Sequence, residues 1–223
     1  MDAADHYPAL KRTGLVLLIV GILDIGLMAY AMFNQIAYMS SLNIFAVIAG
    51  IFLLRGNLRA ASIVRRFALF LLAACISVSL VLPLLQPIDL IVTRAQLDPL
   101  AFLGYFVFLV LALVLFSWLI RELGSTPIRL AYKKAGLPAR SSGIPLALGI
   151  GLAVILAAVG TLVQHSESGI RAVRETREKL GDGYRYHVSS FSYSSSSKGE
   201  SVSGVVTAWK SGSVKDLPFQ WRE

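Results

Sequence analysis

The sequence predicts a membrane protein in two parts: an all-α bundle of five transmembrane helices, then a small α+β extramembrane domain of one helix and a three-stranded antiparallel sheet. Three observations predict it. Hydrophobic residues make up 56% of the 223 residues and charged ones only 15%, where soluble domains carry about 25% charge. Five apolar stretches meet or approach the roughly 20 residues that a helix needs to cross a hydrocarbon core of about 30 Å. Past residue 164 the composition turns abruptly polar.

Residues 1–12, "MDAADHYPALKR", form a short polar tail, expected in the cytoplasm. The transmembrane domain covers 13–164, with spans expected at 13–33, 38–54, 67–86, 100–120 and 143–164. The second span, "YMSSLNIFAVIAGIFLL", is the shortest and most polar. The first run is too long for a signal-peptide core and reads as a retained helix. "LAAC" at 72–75 and "RRF" at 65–67 look like export signals. Both follow a full hydrophobic span and so stand in the wrong place for that role. Cys75 is alone, which excludes an intramolecular disulfide.

Charge sets the expected direction. The segment 55–66 carries Arg55, Arg59, Arg65 and Arg66, and 121–142 carries Arg121, Arg129, Lys133, Lys134 and Arg140. The segment 34–37 has no basic residue, and 87–99 has only Arg94 beside Asp89 and Asp98. Basic loops stay cytoplasmic. The alternation therefore predicts a cytoplasmic N-terminus, five crossings and an outer C-terminus. Short loops without eukaryotic sorting signals point to a bacterial inner membrane, with 165–223 in the periplasm. The net charge of +8 is placed by topology, so no nucleic acid partner is expected.

Within 121–142, "STPIRLAYKKAGLP" reads as a short interfacial helix. Ser125 or Thr126 supplies the cap, Pro127 the first turn and Gly136 the stop. Ile128, Ala131, Tyr132 and Ala135 share one face, leaving Arg129, Lys133 and Lys134 as contacts for anionic lipid or a cytosolic partner. Each such residue gains about 1 kcal/mol at an anionic surface. In the last span Gly143, Ala147 and Gly151 repeat every fourth position, as do Ala153, Ala157 and Thr161. Small residues let helix backbones approach, which predicts a central helix. The bulky fourth span is expected to face lipid.

The extracytoplasmic domain, 165–223, begins with an amphipathic helix over 168–180, with Ile170, Val173 and Leu180 inward and "GDG" as its stop. Tyr184, Tyr186 and Val188 alternate with polar residues, then Phe191 and Tyr193 resume in the other phase. That switch predicts a bulge near Ser189–Ser190. "SVSGVVTAW" and "LPFQW" supply two more strands, the last with Leu217, Phe219 and Trp221 on one face. A domain this small, with no disulfide, is marginal alone. It is expected to lean on the membrane, on the 87–99 segment or on a protein partner, and its open sheet edges are places for a partner strand to add.

No HExxH, GxSxG, P-loop or GxGxxG pattern occurs. His6, His165 and His187 lack metal-ligand spacing. No catalytic residue, metal or cofactor is therefore expected. The chemical outlier is Asp24 in "LLIVGILDIGLMAY", where a central carboxylate costs about 2.5–3.5 kcal/mol on insertion scales. The surrounding Leu, Ile and Val residues carry the span into the bilayer regardless. Gly26 would let another helix come close on the adjacent face, and the polar candidates are Asn43 in the second span, Ser77 and Ser79 in the third, Tyr105 and Ser117 in the fourth and Thr161 in the fifth. Asp24 and Asn43 thus mark an intramembrane polar or proton site: a neutral acid hydrogen-bonded to a neighbouring helix, a proton or cation site, or a socket for a partner's charge. Two functions follow as expectations. One is a non-enzymatic accessory, assembly or sensory protein that binds a partner through its C-terminal domain. The alternative is a small transporter or channel subunit using Asp24.

Overall fold

A computed structural model of the chain describes residues 6–35, 43–136, 143–196 and 199–222. Eight helices precede three strands: α1 (Tyr7–Phe33), α2 (Asn43–Leu54), α3 (Leu58–Leu85), α4 (Ile88–Leu97), α5 (Pro99–Leu123), α6 (Thr126–Lys134), α7 (Gly143–His165), α8 (Glu167–Leu180), β1 (Arg185–Ser196), β2 (Gly199–Lys210) and β3 (Ser213–Arg222). They form two compact units, Met1–Ala73 with Ala112–Gly149, and Ala74–Leu111 with Ile150–Glu223.

Among the described residues four helices, where five were expected, are long and apolar enough to cross a membrane: α1, α3, α5 and α7. Within the described residues, the second expected span is helical over the 12 residues of α2, about 18 Å at 1.5 Å per residue. Its first part, 38–42, lies outside the described residues. The outer surfaces of α1, α3, α5 and α7 carry many exposed Leu, Ile, Val and Phe side chains, which fits a multi-pass integral membrane protein. The basic segment 55–66 is also less of a loop than expected. Gly56 turns the chain with φ +75, the Asn57 side chain accepts from the Ala60 N–H at 3.1 Å, and α3 starts at Leu58.

In the first unit, α1 and α2 form a tight antiparallel pair. A Cβ placed on Gly14 would lie 2.8 Å from the Gly50 carbonyl oxygen and 2.9 Å from the Leu54 nitrogen. A Cβ on Gly50 would lie 2.8 Å from the Gly14 oxygen and 2.9 Å from the Leu18 nitrogen. The two backbones touch at this crossing, which is the packing that small residues permit in lipid. Gly26, by contrast, has open space where a Cβ would go, so the close approach expected there is not made. The Tyr7 hydroxyl donates to the Leu54 carbonyl at 3.4 Å, holding the start of α1 beside the end of α2.

The small residues of α7 are used differently from the expectation. Gly143 and Ala147 are exposed and Gly151 meets open space, whereas Pro145, Gly149 and Ala153 are buried. Only 11% of the helix's most apolar stretch is buried, so α7 makes little of the close packing expected of it. Helix α5 is more exposed still, with 6% of its most apolar stretch buried.

In the second unit the sheet order is β1-β2-β3, antiparallel throughout. The register shifts between Val188 and Ser190, placing the bulge where the alternation changes phase. One sheet face packs on α8. Ala172, Val188 and Val206 are buried there, joined by Val163, Val173, Tyr186, Phe191, Phe219 and Trp221. Gly204 is required, because a Cβ would sit 2.2 Å from the Ser190 oxygen and 2.7 Å from the Phe219 ring. Ser166 caps α8 by accepting from the Gly169 N–H at 3.1 Å. Ile170, expected inward, is 59% exposed. The inward stripe is Gly169, Ala172 and Thr176, because small side chains bring the helix close to the sheet.

Candidate functional site

The 87–99 segment, read from sequence as a loop, is mostly the helix α4, and it docks on the other face of the sheet. Pro87 opens it, and Leu90 and Thr93 are its buried residues. Its two charged residues meet two adjacent rows of the sheet. In the first row His187, Thr207 and Asp216 stand side by side across β1, β2 and β3. In the second, Arg185, Trp209 and Val214 do the same.

Arg94 reaches the first row. Its Nη2 donates to Thr207 Oγ1 and to Asp216 Oδ1, both at 3.2 Å. Thr207, fully buried, donates to Asp216 Oδ1 at 2.5 Å and pairs with the Ser189 hydroxyl turned in by the bulge. A threonine hydroxyl donates once and accepts twice, so Arg94, Ser189 and Asp216 together satisfy it. Asp89 reaches the second row. It pairs with Arg185 and accepts from Trp209 Nε1 at 3.2 Å. Partial burial pushes its carboxyl up, but the Trp209 indole, the Arg185 guanidinium and a backbone N–H outweigh this and hold it below the usual carboxylate range. Trp209 is 4% exposed, sealing the row. Burial and then the Arg94 charge push the His187 imidazole below its ordinary value. The arrangement is a polar clasp that fixes α4 to all three strands.

The sequence did not mark Asp89, Arg94, Thr207, Trp209 or Asp216 as a set. A helical period was present in "IDLIVTRAQL", where Leu90 and Thr93 fall three residues apart between Asp89 and Arg94.

The expected basic contacts lie in the first unit. Helix α6 has the expected bounds, with Ile128 and Ala131 buried and Arg129, Lys133 and Lys134 exposed. Ser125 stands at its N-cap without making the side-chain cap bond, and Gly136 ends it at φ +64. The same end gathers other cations. Arg12 faces Glu122 at 3.9 Å, Lys11 lies over the Tyr7 ring, and the Arg65 side chain passes beside Gly124.

Asp24 is half-buried on α1 and is engaged by a neighbour. Asn43 is the first residue of α2, and only its backbone is described. One and two turns before Asp24, Val20 and Leu17 help line an apolar cleft of about 70 Å³ with Phe45, Phe67 and Phe116. Asp24 does not line it. Among the described residues no group of three or more His, Cys, Asp or Glu could hold a metal ion. No protein-family model matches the chain, and no curated protein or solved structure shows significant similarity to it.

Proposed function

We propose that this is a non-enzymatic accessory, assembly or sensory protein of a bacterial inner membrane, with its N-terminus cytoplasmic and its C-terminal domain periplasmic. That domain binds a protein partner by adding the partner's strand to the outer edge of β1. The observation that carries the reading is the asymmetry of the two outer strands. β3 holds Pro218, Lys215 and Asp216, the devices that protect an edge from pairing. β1, past its bulge, runs Ser190–Ser196 as serines and aromatics with no proline and no charge. Being clasped to α4, the sheet would present that edge in a fixed direction from the membrane. The basic end of the first unit supports the cytoplasmic assignment and gives anionic lipid a surface at Arg129, Lys133 and Lys134.

Proline scanning tests the edge. Inward and outward N–H groups alternate along an antiparallel strand, so of Ser192→Pro and Tyr193→Pro one blocks only the outer edge. Intact protein isolated from its native membrane is expected to retain a stoichiometric partner. One of the two variants loses that partner while keeping the sheet. Retention of the partner by both, or after removal of 165–223, rejects the reading.

A further inference from the structure

We propose that the clasp between α4 and the sheet is a pH-operated latch, closed while His187 is neutral and opened when His187 takes a proton. The latch deepens the sensory reading above and depends on it for its physiological setting, since a periplasmic face meets the pH of the surroundings. The docking equilibrium itself stands on the geometry alone.

His187 is half-buried on the α4-facing side of β1, in the row that Arg94 enters. Among the described residues the charged groups on this face are Asp89 and Arg94 from α4, Arg185 from β1 and Asp216 from β3. β2 contributes the neutral Thr207 and Trp209, and α8 covers the opposite face. With His187 neutral these charges match one to one, Arg94 with Asp216 and Arg185 with Asp89. A proton on His187 adds a cation beside Arg94, and both local carboxylates are already committed. Undocking α4 removes the like charge and hydrates the ring, so the proton and α4 compete.

The direction follows from linkage. Burial and Arg94 depress the imidazole in the docked state, while undocked it returns to about 6.5. The undocked state then binds more protons between the two values. Docking is therefore full above about pH 6.5, weakens as the pH falls below it, and levels off beneath the docked-state value. Asp89, held below the usual range, stays ionised throughout this window.

Amide hydrogen exchange on the full-length protein in detergent micelles, corrected for intrinsic rates, reads the latch. Opening of residues 88–97 is expected to rise about threefold or more between pH 7.5 and 5.5, with a ceiling of about tenfold because the lower pH lies only one unit beneath the undocked imidazole's ordinary value. The β2 amides stay protected. His187→Gln removes the pH dependence, and Arg94→Gln weakens it while loosening α4 at both pH values. A pH-independent α4 in the wild type, or an unchanged pH response in His187→Gln, overturns the proposal. Should His187→Gln lose the sheet, NMR titration of the wild-type ring decides, and an imidazole titrating at or above about 6.5 overturns it. Partner capture at pH 7.5, with the latch closed, is a separate readout: its failure rejects the edge reading and leaves the latch standing.

Discussion

Replacing Gly50 with Ala adds one methyl where two helices already touch. Its Cβ would lie 2.8 Å from the Gly14 carbonyl oxygen and 2.9 Å from the Leu18 nitrogen. Ordinary contact begins at 3.4 Å, so the crossing must open by about 0.6 Å, the difference between those distances. Both obstructing atoms are backbone, so no rotamer change relieves them. A gap of 0.5–1 Å forfeits roughly a quarter to a half of the local dispersion energy, and overpacking typically costs about 1–3 kcal/mol. Alanine's better helix propensity returns up to about 1 kcal/mol. The expected net loss is therefore about 1–2 kcal/mol, with the same for Gly14→Ala. The two should not add: once either methyl has opened the crossing, the second enters at less cost, giving a favourable coupling of about 1 kcal/mol. Gly26→Ala, which meets open space, is the matched control and should be neutral or slightly stabilising. Equilibrium unfolding in mixed micelles followed by circular dichroism reads all four variants. If Gly14→Ala and Gly50→Ala behaved like Gly26→Ala, the backbone contact between α1 and α2 would be refuted.

Gly204→Ala places a methyl 2.2 Å from the Ser190 oxygen and should destabilise the sheet by about 3 kcal/mol or more, seen as rapid proteolysis within 185–222. Ile170→Ser should change stability by less than about 0.5 kcal/mol because the side chain is exposed; a loss of 2 kcal/mol would restore the inward placement that its hydrophobicity suggests. Removing the three charges of Arg129, Lys133 and Lys134 together should weaken attachment of an isolated 121–142 peptide to anionic vesicles by about 3 kcal/mol, with little change on neutral ones. Reporter fusions at 60 and 130 should read cytoplasmic, and those at 95 and the C-terminus periplasmic; an outward signal at 130 would reverse the topology.

Much of the fold was legible because its signals are local. Length and apolarity mark α1, α3, α5 and α7, Pro127 and Gly136 bracket α6, and the phase change after Val188 marks the bulge. The same signals extended the second span to 38–54, of which the described residues show the 12-residue helix α2, shorter than a crossing needs. Asp24 stood out because a carboxylate in an apolar run is costly on its own terms. The clasp did not, because Asp89, Arg94, Thr207 and Asp216 are ordinary polar residues until a chain reversal brings them together.

Sequence alone thus marked the four helices long and apolar enough to cross a membrane, the basic segments, and the helix and meander of the polar tail. Hydropathy and turn chemistry are properties of neighbouring residues, and no fold is needed to express them. Tertiary packing alone settled that Gly14 meets Gly50, that Ala172 rather than Ile170 faces the sheet, and that α4, among the supports expected, joins the β domain. Each of these depends on how closely two backbones approach. A glycine or alanine shows that closeness by what it lacks, and the absence acquires meaning only when a second element fills it.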